Sequence, residues 1–212
     1  MNLGDVIGLR RFGRHVHEWH GQRVDGTFAD VRAEAVRALL SADPRLRYAL
    51  EAVAALDLPD AWIGAGFVRN ACWDAAHGRG IEMPRDIDVV YFDREDPFGV
   101  REPEHAAALA KRAPTYPWEV RNQARMHRLH GHAPYGSTVE AVSHWVETAT
   151  AVAARIGPDG GVQILAPYGT DDLLDMIVRP VPSHRGDLST FMHRLATKGW
   201  LKRWPQLRIR EK

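Results

Sequence analysis

The chain has 212 residues, of which 45% are hydrophobic, and 28 basic side chains stand against 27 acidic ones for a formal charge of +1. This length supports one compact domain with a real core and excludes disorder throughout. The near-neutral balance excludes a surface that is basic everywhere, as expected of a nonspecific polyanion binder. A single cysteine, Cys72, allows neither an internal disulfide nor a zinc ribbon, and no apolar run approaches a membrane span or a signal-peptide core, so a soluble cytoplasmic protein is expected.

Residues 1–29, rich in Arg, His and Gly, lack a sustained apolar period and read as an irregular arm; residues 30–212 read as the folded domain. Val31, Ala35 and Leu39 share one face of a helix expected from Asp30 to Leu40. Asp43 and Pro44 then suit the cap and first position of a second helix, with Leu46, Leu50 and Val53 at helical spacing. Ala61-Trp62-Ile63 reads as a strand that runs into Gly64-Ala65-Gly66, followed by a helix from Phe67 to His77. A second strand spans Asp86 to Phe92, a helix lies near His105 to Lys111, and a third strand lies at Trp118 to Val120. Ser137-Thr138-Val139-Glu140 resembles a capping box opening a helix to about Glu147. Gly157 to Gly161 should turn a hairpin whose returning strand is Val162 to Leu165. Thr170 or Asp171 caps a short helix through Met176, and the tail from Asp187 is a helix with an irregular or extended end.

Two features carry chemistry. Strand side chains alternate, so Asp86 and Asp88 project to the same side, and two adjacent anions need a cation or donors beside them; hard divalent ions such as Mg²⁺ fit. Upstream, a strand that enters a glycine turn and then a helix leaves backbone N–H groups at the helix start, a setting for phosphate oxygens, with Arg69 as an added cation. On their own, the acid pair also fits a solvated strand end, and the glycines also fit tight packing.

Together, Ile63-Gly64-Ala65-Gly66-Phe67-Val68-Arg69-Asn70 and Asp86-Ile87-Asp88-Val89-Val90 resemble the polymerase-beta-like nucleotidyltransferase superfamily, and most nearly its tRNA-terminal nucleotidyltransferases and bacterial poly(A) polymerases. The stretches from Trp118 to His127 and from Ser137 to Ala141 resemble a family of small bacterial nucleotidyltransferase-like proteins within it. The resemblance runs from about Ala61 to Pro205. It implies an α/β (α+β) fold, a mixed sheet flanked by helices, with Asp86, Asp88 and Glu119 as catalytic and metal-holding acids. It also implies nucleotide binding by Gly64, Gly66, Arg69 and Asn70, two Mg²⁺ ions, and transfer of a nucleoside monophosphate from a nucleoside triphosphate to a hydroxyl acceptor of unknown identity, with pyrophosphate leaving. Ala65 separates the glycines where the superfamily has Gly-Gly or Gly-Ser, and Asn70 stands where the tRNA-terminal group has aspartate. The long helical region through which the tRNA enzymes hold RNA has no counterpart in the sequence, so a nucleic acid is the less favoured partner. The alternative reading is a catalytically inactive nucleotide- or protein-binding module on the same fold.

Other residues have two readings each. His15, His17 and His20, like His127, His130 and His132, contain metal-ligating nitrogens, but a solvated arm and a polar segment beside Arg125 and Arg128 explain them more simply. Arg121, Asn122 and Arg125 face substrate or solvent. Trp145 and Glu147 suit helix packing and solvation. Lys198, Trp200, Lys202, Arg203, Trp204, Arg208 and Arg210 interleave cations and aromatics, which fits a docked terminal helix better than a nucleic-acid groove.

Overall fold

The structure, a computed structural model, describes residues 28–211. The expected arm and its three histidines lie outside the described residues, apart from Phe28 and Ala29, which already belong to the first helix. Helix α1 (Phe28–Ala42) leads into α2 (Pro44–Ala54). The Asp43 carboxylate accepts hydrogen bonds from the backbone N–H groups of Arg45 and Leu46, so the cap read in the sequence is formed. Leu46, Leu50 and Val53 of α2 are buried.

Strand β1 (Trp62–Gly64) and helix α3 (Gly66–Ala76) follow, then β2 (Ile87–Tyr91), α4 (Glu102–Arg112), β3 (Trp118–Asn122), α5 (Gln123–His130) and α6 (Thr138–Ser143). The hairpin β4 (Ala153–Ile156) and β5 (Val162–Leu165) forms where the glycine turn placed it. A short α7 (Asp171–Leu174), β6 (Ile177–Val178), α8 (Ser189–Thr197), α9 (Trp200–Arg203) and β7 (Arg208–Ile209) complete the chain. Among the described residues, no helix is long and apolar enough to cross a membrane.

The main sheet has the order β3-β2-β1-β4-β5. Only β2 and β3 run parallel within it; the β1–β2, β1–β4 and β4–β5 pairs are antiparallel. This is the expected mixed sheet flanked by helices. Alternation along β2 divides its two faces: Ile87, Val89 and Tyr91 are fully buried in the large core with α1, α2 and α3, whereas Asp88 and Val90 face the other way. On that second face, Trp62, Val90, Val142, Ala153 and Leu165 form a smaller apolar cluster, with Trp145 packed against it.

One local expectation is corrected, one helix is added, and the extended end expected of the tail is a strand. The capping-box helix stops at Ser143 rather than near Glu147, although Ser137 does cap it through the Glu140 N–H. Beyond it the chain turns so that Glu147 pairs with Pro180 in an isolated bridge. Helix α5 was not read from the sequence because its residues are mostly polar; what starts it is Asn122, whose side chain accepts from the Ala124 N–H. The tail ends in a strand, with Ile177 and Val178 paired in parallel to Arg208 and Ile209. Trp200 and Trp204 dock edge-on against Trp73 at 5.9 and 5.1 Å, and Asp74 accepts from Arg203 and from the Trp204 indole, so tertiary packing occupies both tryptophans.

Candidate functional site

The glycine turn joins β1 to α3. Its middle residue, Ala65, has φ 50° and ψ −116°, a backbone conformation that favours glycine, and it is held by its N–H donating to Val152 and its carbonyl accepting from Arg69. No side chain caps α3, so the first N–H groups of this helix have no partner in its own ladder. The two glycines differ. A Cβ on Gly64 would overlap the Trp145 indole, which gives that glycine a packing reason, while a Cβ on Gly66 would meet Asn70 and Arg69 only at ordinary contact distance.

The parallel register sets Asp88 opposite Glu119, one strand over, with Asp86 two residues before Asp88. Neighbours across a parallel pair share a face, so the expected third acid lies beside the pair. The electrostatics record this crowding: burial first, and then the charges of Asp86 and Glu119, push the Asp88 carboxyl up to about 6, against a smaller opposing pull from Arg69 and Lys198. Glu119 also lies 3.7 Å from the Arg121 guanidinium.

Asp86 and Asp88 line a cleft of about 690 Å³ together with Ala65, Gly66, Arg69 and Asn70. Arg121, Arg194 and Lys198 add cations to its walls. Arg69 is only 7% exposed: it donates to Thr150 at 2.9 Å and to the Asn70 side chain at 3.0 Å, and its guanidinium lies 4.7 Å from the Trp200 ring. Burial lowers its pKa to about 10, which leaves it charged at neutral pH. Asn70 is equally buried and serves as the acceptor for Arg69.

The profile of the nucleotidyltransferase family matches residues 51–209. The chain belongs to the nucleotidyltransferase family. A solved structure described as revealing a CCA-adding enzyme head domain is similar at 28% identity and a TM-score of 0.76, covering 84% of this chain and 96% of that one. A Thermotoga maritima CCA-adding enzyme complexed with tRNA matches at 18% identity and a TM-score of 0.53, and a CCA-adding enzyme complexed with CTP at 18% and 0.52. These two likenesses concern the fold alone, and this nucleotidyltransferase spans less than half of either chain, 42% and 43%. No curated protein matches. Family membership and the head-domain fold together support nucleotidyl transfer as the general chemistry.

In this nucleotidyltransferase the segment from the end of β3 into α5 divides its polar residues. Arg121 lines the cleft, but Asn122 is fully buried, holding Asp93 and Asp96 backbone groups, and Arg125 makes a bidentate pair with Glu102 at 2.6 and 2.7 Å. Sequence reasoning missed the role of Glu147. It is 0% exposed rather than solvated, and it accepts two hydrogen bonds from Arg194, at 2.6 and 3.1 Å, which fixes that cation on the cleft wall. The residues are 47 apart in sequence, so no local signal connects them. Trp145 also lines the cleft, over Gly64. Among the described residues, no three or more His, Cys, Asp or Glu side chains, Asp86, Asp88 and Glu119 included, are grouped closely enough to hold a metal ion by themselves.

Proposed function

We propose that the protein transfers a nucleoside monophosphate from a nucleoside triphosphate to a hydroxyl acceptor in a Mg²⁺-dependent reaction. The acceptor oxygen bonds to the α-phosphorus, the bond to the bridging oxygen breaks, pyrophosphate leaves with that electron pair, and the hydroxyl proton passes to water. The observation that carries this reading is the β2–β3 register, with Glu119 beside Asp88, whose carboxyl is raised by burial first and then by Asp86 and Glu119. Such a cluster is costly as bare carboxylates and suits added positive charge.

Asp86 and Asp88 would hold the metal, with Glu119 as the third acid. Mg²⁺ ordinarily takes only one or two carboxylates and completes its shell with water and substrate phosphates, which fits an open donor set rather than a closed protein cage. Bound there, two ions would neutralise the triphosphate and lower the pKa of the acceptor hydroxyl. The uncapped start of α3 at Gly66, together with Lys198 and Arg121, would orient the phosphates. Arg69 and Asn70 would act from the cleft floor, Arg69 as a buried positive charge. Gly64 would support the turn from beneath Trp145.

The test is pyrophosphate release from a panel of nucleoside triphosphates with small hydroxyl acceptors, with and without Mg²⁺. Release that depends on Mg²⁺ and disappears in Asp86→Ala and Asp88→Ala is expected. Mg²⁺-dependent nucleotide binding with no release for any acceptor would identify an inactive nucleotide-binding module instead. Binding unchanged by either substitution would remove the carboxylates from the site.

A further inference from the structure

The other end of the same cleft is a wall of imidazoles. His130 ends α5, His132 follows in the next loop, His144 follows α6, and His184 lies in a 3₁₀ turn spanning Pro182–His184; all four line the cleft. Their rings are packed on one another: His132 and His144 have centroids 4.5 Å apart, His130 and His132 5.8 Å, and Tyr135 stacks on His144 at 5.2 Å and 20°. Stacking covers ring faces and leaves ring edges; on those edges His132 Nδ1 is paired with the Tyr135 hydroxyl and His184 Nε2 with the His144 carbonyl, so each of these two rings keeps its other nitrogen for a ligand.

The charges around the wall are mixed. Glu140 of α6 acts on His144 and Tyr135, Arg121 of β3 and Arg194 and Lys198 of α8 and its end line the cleft, and Asp86 and Asp88 stand at the acid end. Burial and then the neighbouring histidines hold His130 and His144 below the ordinary imidazole value, with Glu140 opposing at His144. The Nδ1 atom of His144 is buried with no hydrogen-bond partner among the described residues, so no protein contact at that nitrogen fixes the tautomer of this ring. The wall can therefore follow a ligand's charge. An anion supplies the charge that crowded imidazoles lack, and a phosphate monoester presents several acceptor oxygens and a second pKa of about 6, near that of imidazole.

We propose that the wall formed by His130, His132, His144 and His184 is an anion subsite that holds the phosphate of a small phosphorylated acceptor, with the acceptor hydroxyl directed toward Asp86 and Asp88. The acceptor role rests on the nucleotidyl-transfer reading; the anion subsite does not.

The test titrates the full chain with inorganic phosphate, without metal or nucleotide, while following the histidine ring protons by NMR from pH 8 to pH 5.5. Phosphate is expected to shift the signals of the four histidines, raise their titration midpoints, and bind at least fivefold more tightly at pH 6 than at pH 8. His132→Asn with His144→Asn should weaken phosphate binding at least tenfold and leave Mg²⁺–ATP affinity within twofold. His130→Asn, at an exposed position, should weaken it about threefold without perturbing the fold. Glycerol 3-phosphate should compete with phosphate, and glycerol should not. The subsite is overturned if phosphate leaves the histidine signals unmoved, or if its binding is lost in Lys198→Ala but kept in the histidine variants. Loss of ATP affinity in the folded histidine variants, with phosphate binding intact, would make the wall part of the nucleotide site and overturn it too. Competition by an RNA oligonucleotide but not by glycerol 3-phosphate would overturn the small acceptor. Because the phosphate titration uses neither nucleotide nor metal, its failure is separable from a failure of pyrophosphate release.

Discussion

Asp88 and His144 line one cleft and bear the same physical burden with opposite signs. Burial raises the carboxyl of Asp88, and the neighbouring acids Asp86 and Glu119 raise it further. Burial lowers the imidazole of His144, and the surrounding histidines lower it further, with Glu140 opposing. Each group is crowded by like groups, which disfavours its charged form, and a cation is proposed for the carboxylates and an anion for the imidazoles. Such arrangements cost folding stability and are ordinarily kept for binding or catalysis.

Substitutions at the two ends can break this comparison, and the largest effect should come from the acids. Asp88→Ala should lower Mg²⁺-dependent pyrophosphate release by roughly a thousandfold, the scale seen when a main electrostatic element of a site is removed. A loss below tenfold in the release assay would place the chemistry elsewhere.

The same residue should behave in the opposite way in folding. Its folded pKa of about 6 lies above the ordinary aspartate value, so the folded state binds the proton more readily, and Asp88 costs stability progressively as pH rises from about 4 to above 6. Asp88→Asn should therefore raise the metal-free protein's unfolding free energy at pH 7.5 by about 2 kcal/mol, with the gain gone below pH 4. Urea unfolding at both pH values reads this directly. No gain at pH 7.5 would mean that the acids are not crowded.

Between the two ends lies Trp145, seated over Gly64 and next to His144 in sequence. Gly64→Ala should displace the indole and cost about 1–3 kcal/mol, whereas Gly66→Ala should leave the thermal midpoint nearly unchanged. If both are tolerated, the indole does not hold the turn. Ala65→Gly should stabilise the protein by about 1 kcal/mol, less the greater entropy of glycine in the unfolded chain, by relieving the positive φ. The smallest effect belongs to the imidazole end. The lowered pKa of His144 supports stability above about pH 6.5 and loses that support as pH falls. His144→Asn should therefore flatten the stability curve between pH 7 and pH 5.5, a trend opposite in sign to that of Asp88.

Features governed by neighbours in sequence were legible from the residues alone. The Asp43 cap, the Gly157–Gly161 hairpin and the strand–turn–helix around Gly64 each depend on side chains only a few positions apart, and all three form. Helix α5 escaped because its polar residues carry little apolar period, and only the Asn122 cap marks it. The early stop of α6 escaped because the burial of Glu147 depends on Arg194, far along the chain. The Asp86–Asp88 alternation followed from strand geometry, and the assignment of Glu119 came from family resemblance; the register that sets it opposite Asp88 is a property of the assembled sheet.

The sequence by itself determined the acid pair on one strand face and the glycine turn before a helix, because alternation and turn chemistry are local, while the mixed-sheet fold was implied by the family resemblance. Only the tertiary structure decided that Gly64 makes room for Trp145, that Arg69 is buried against Thr150 and Asn70, and that four histidines from separate segments share one wall. The near-neutral total charge conceals that arrangement, because a sum over residues carries no position. Folding brings carboxylates to one end of the cleft and imidazoles to the other, and the low-dielectric surroundings then set their pKa values apart.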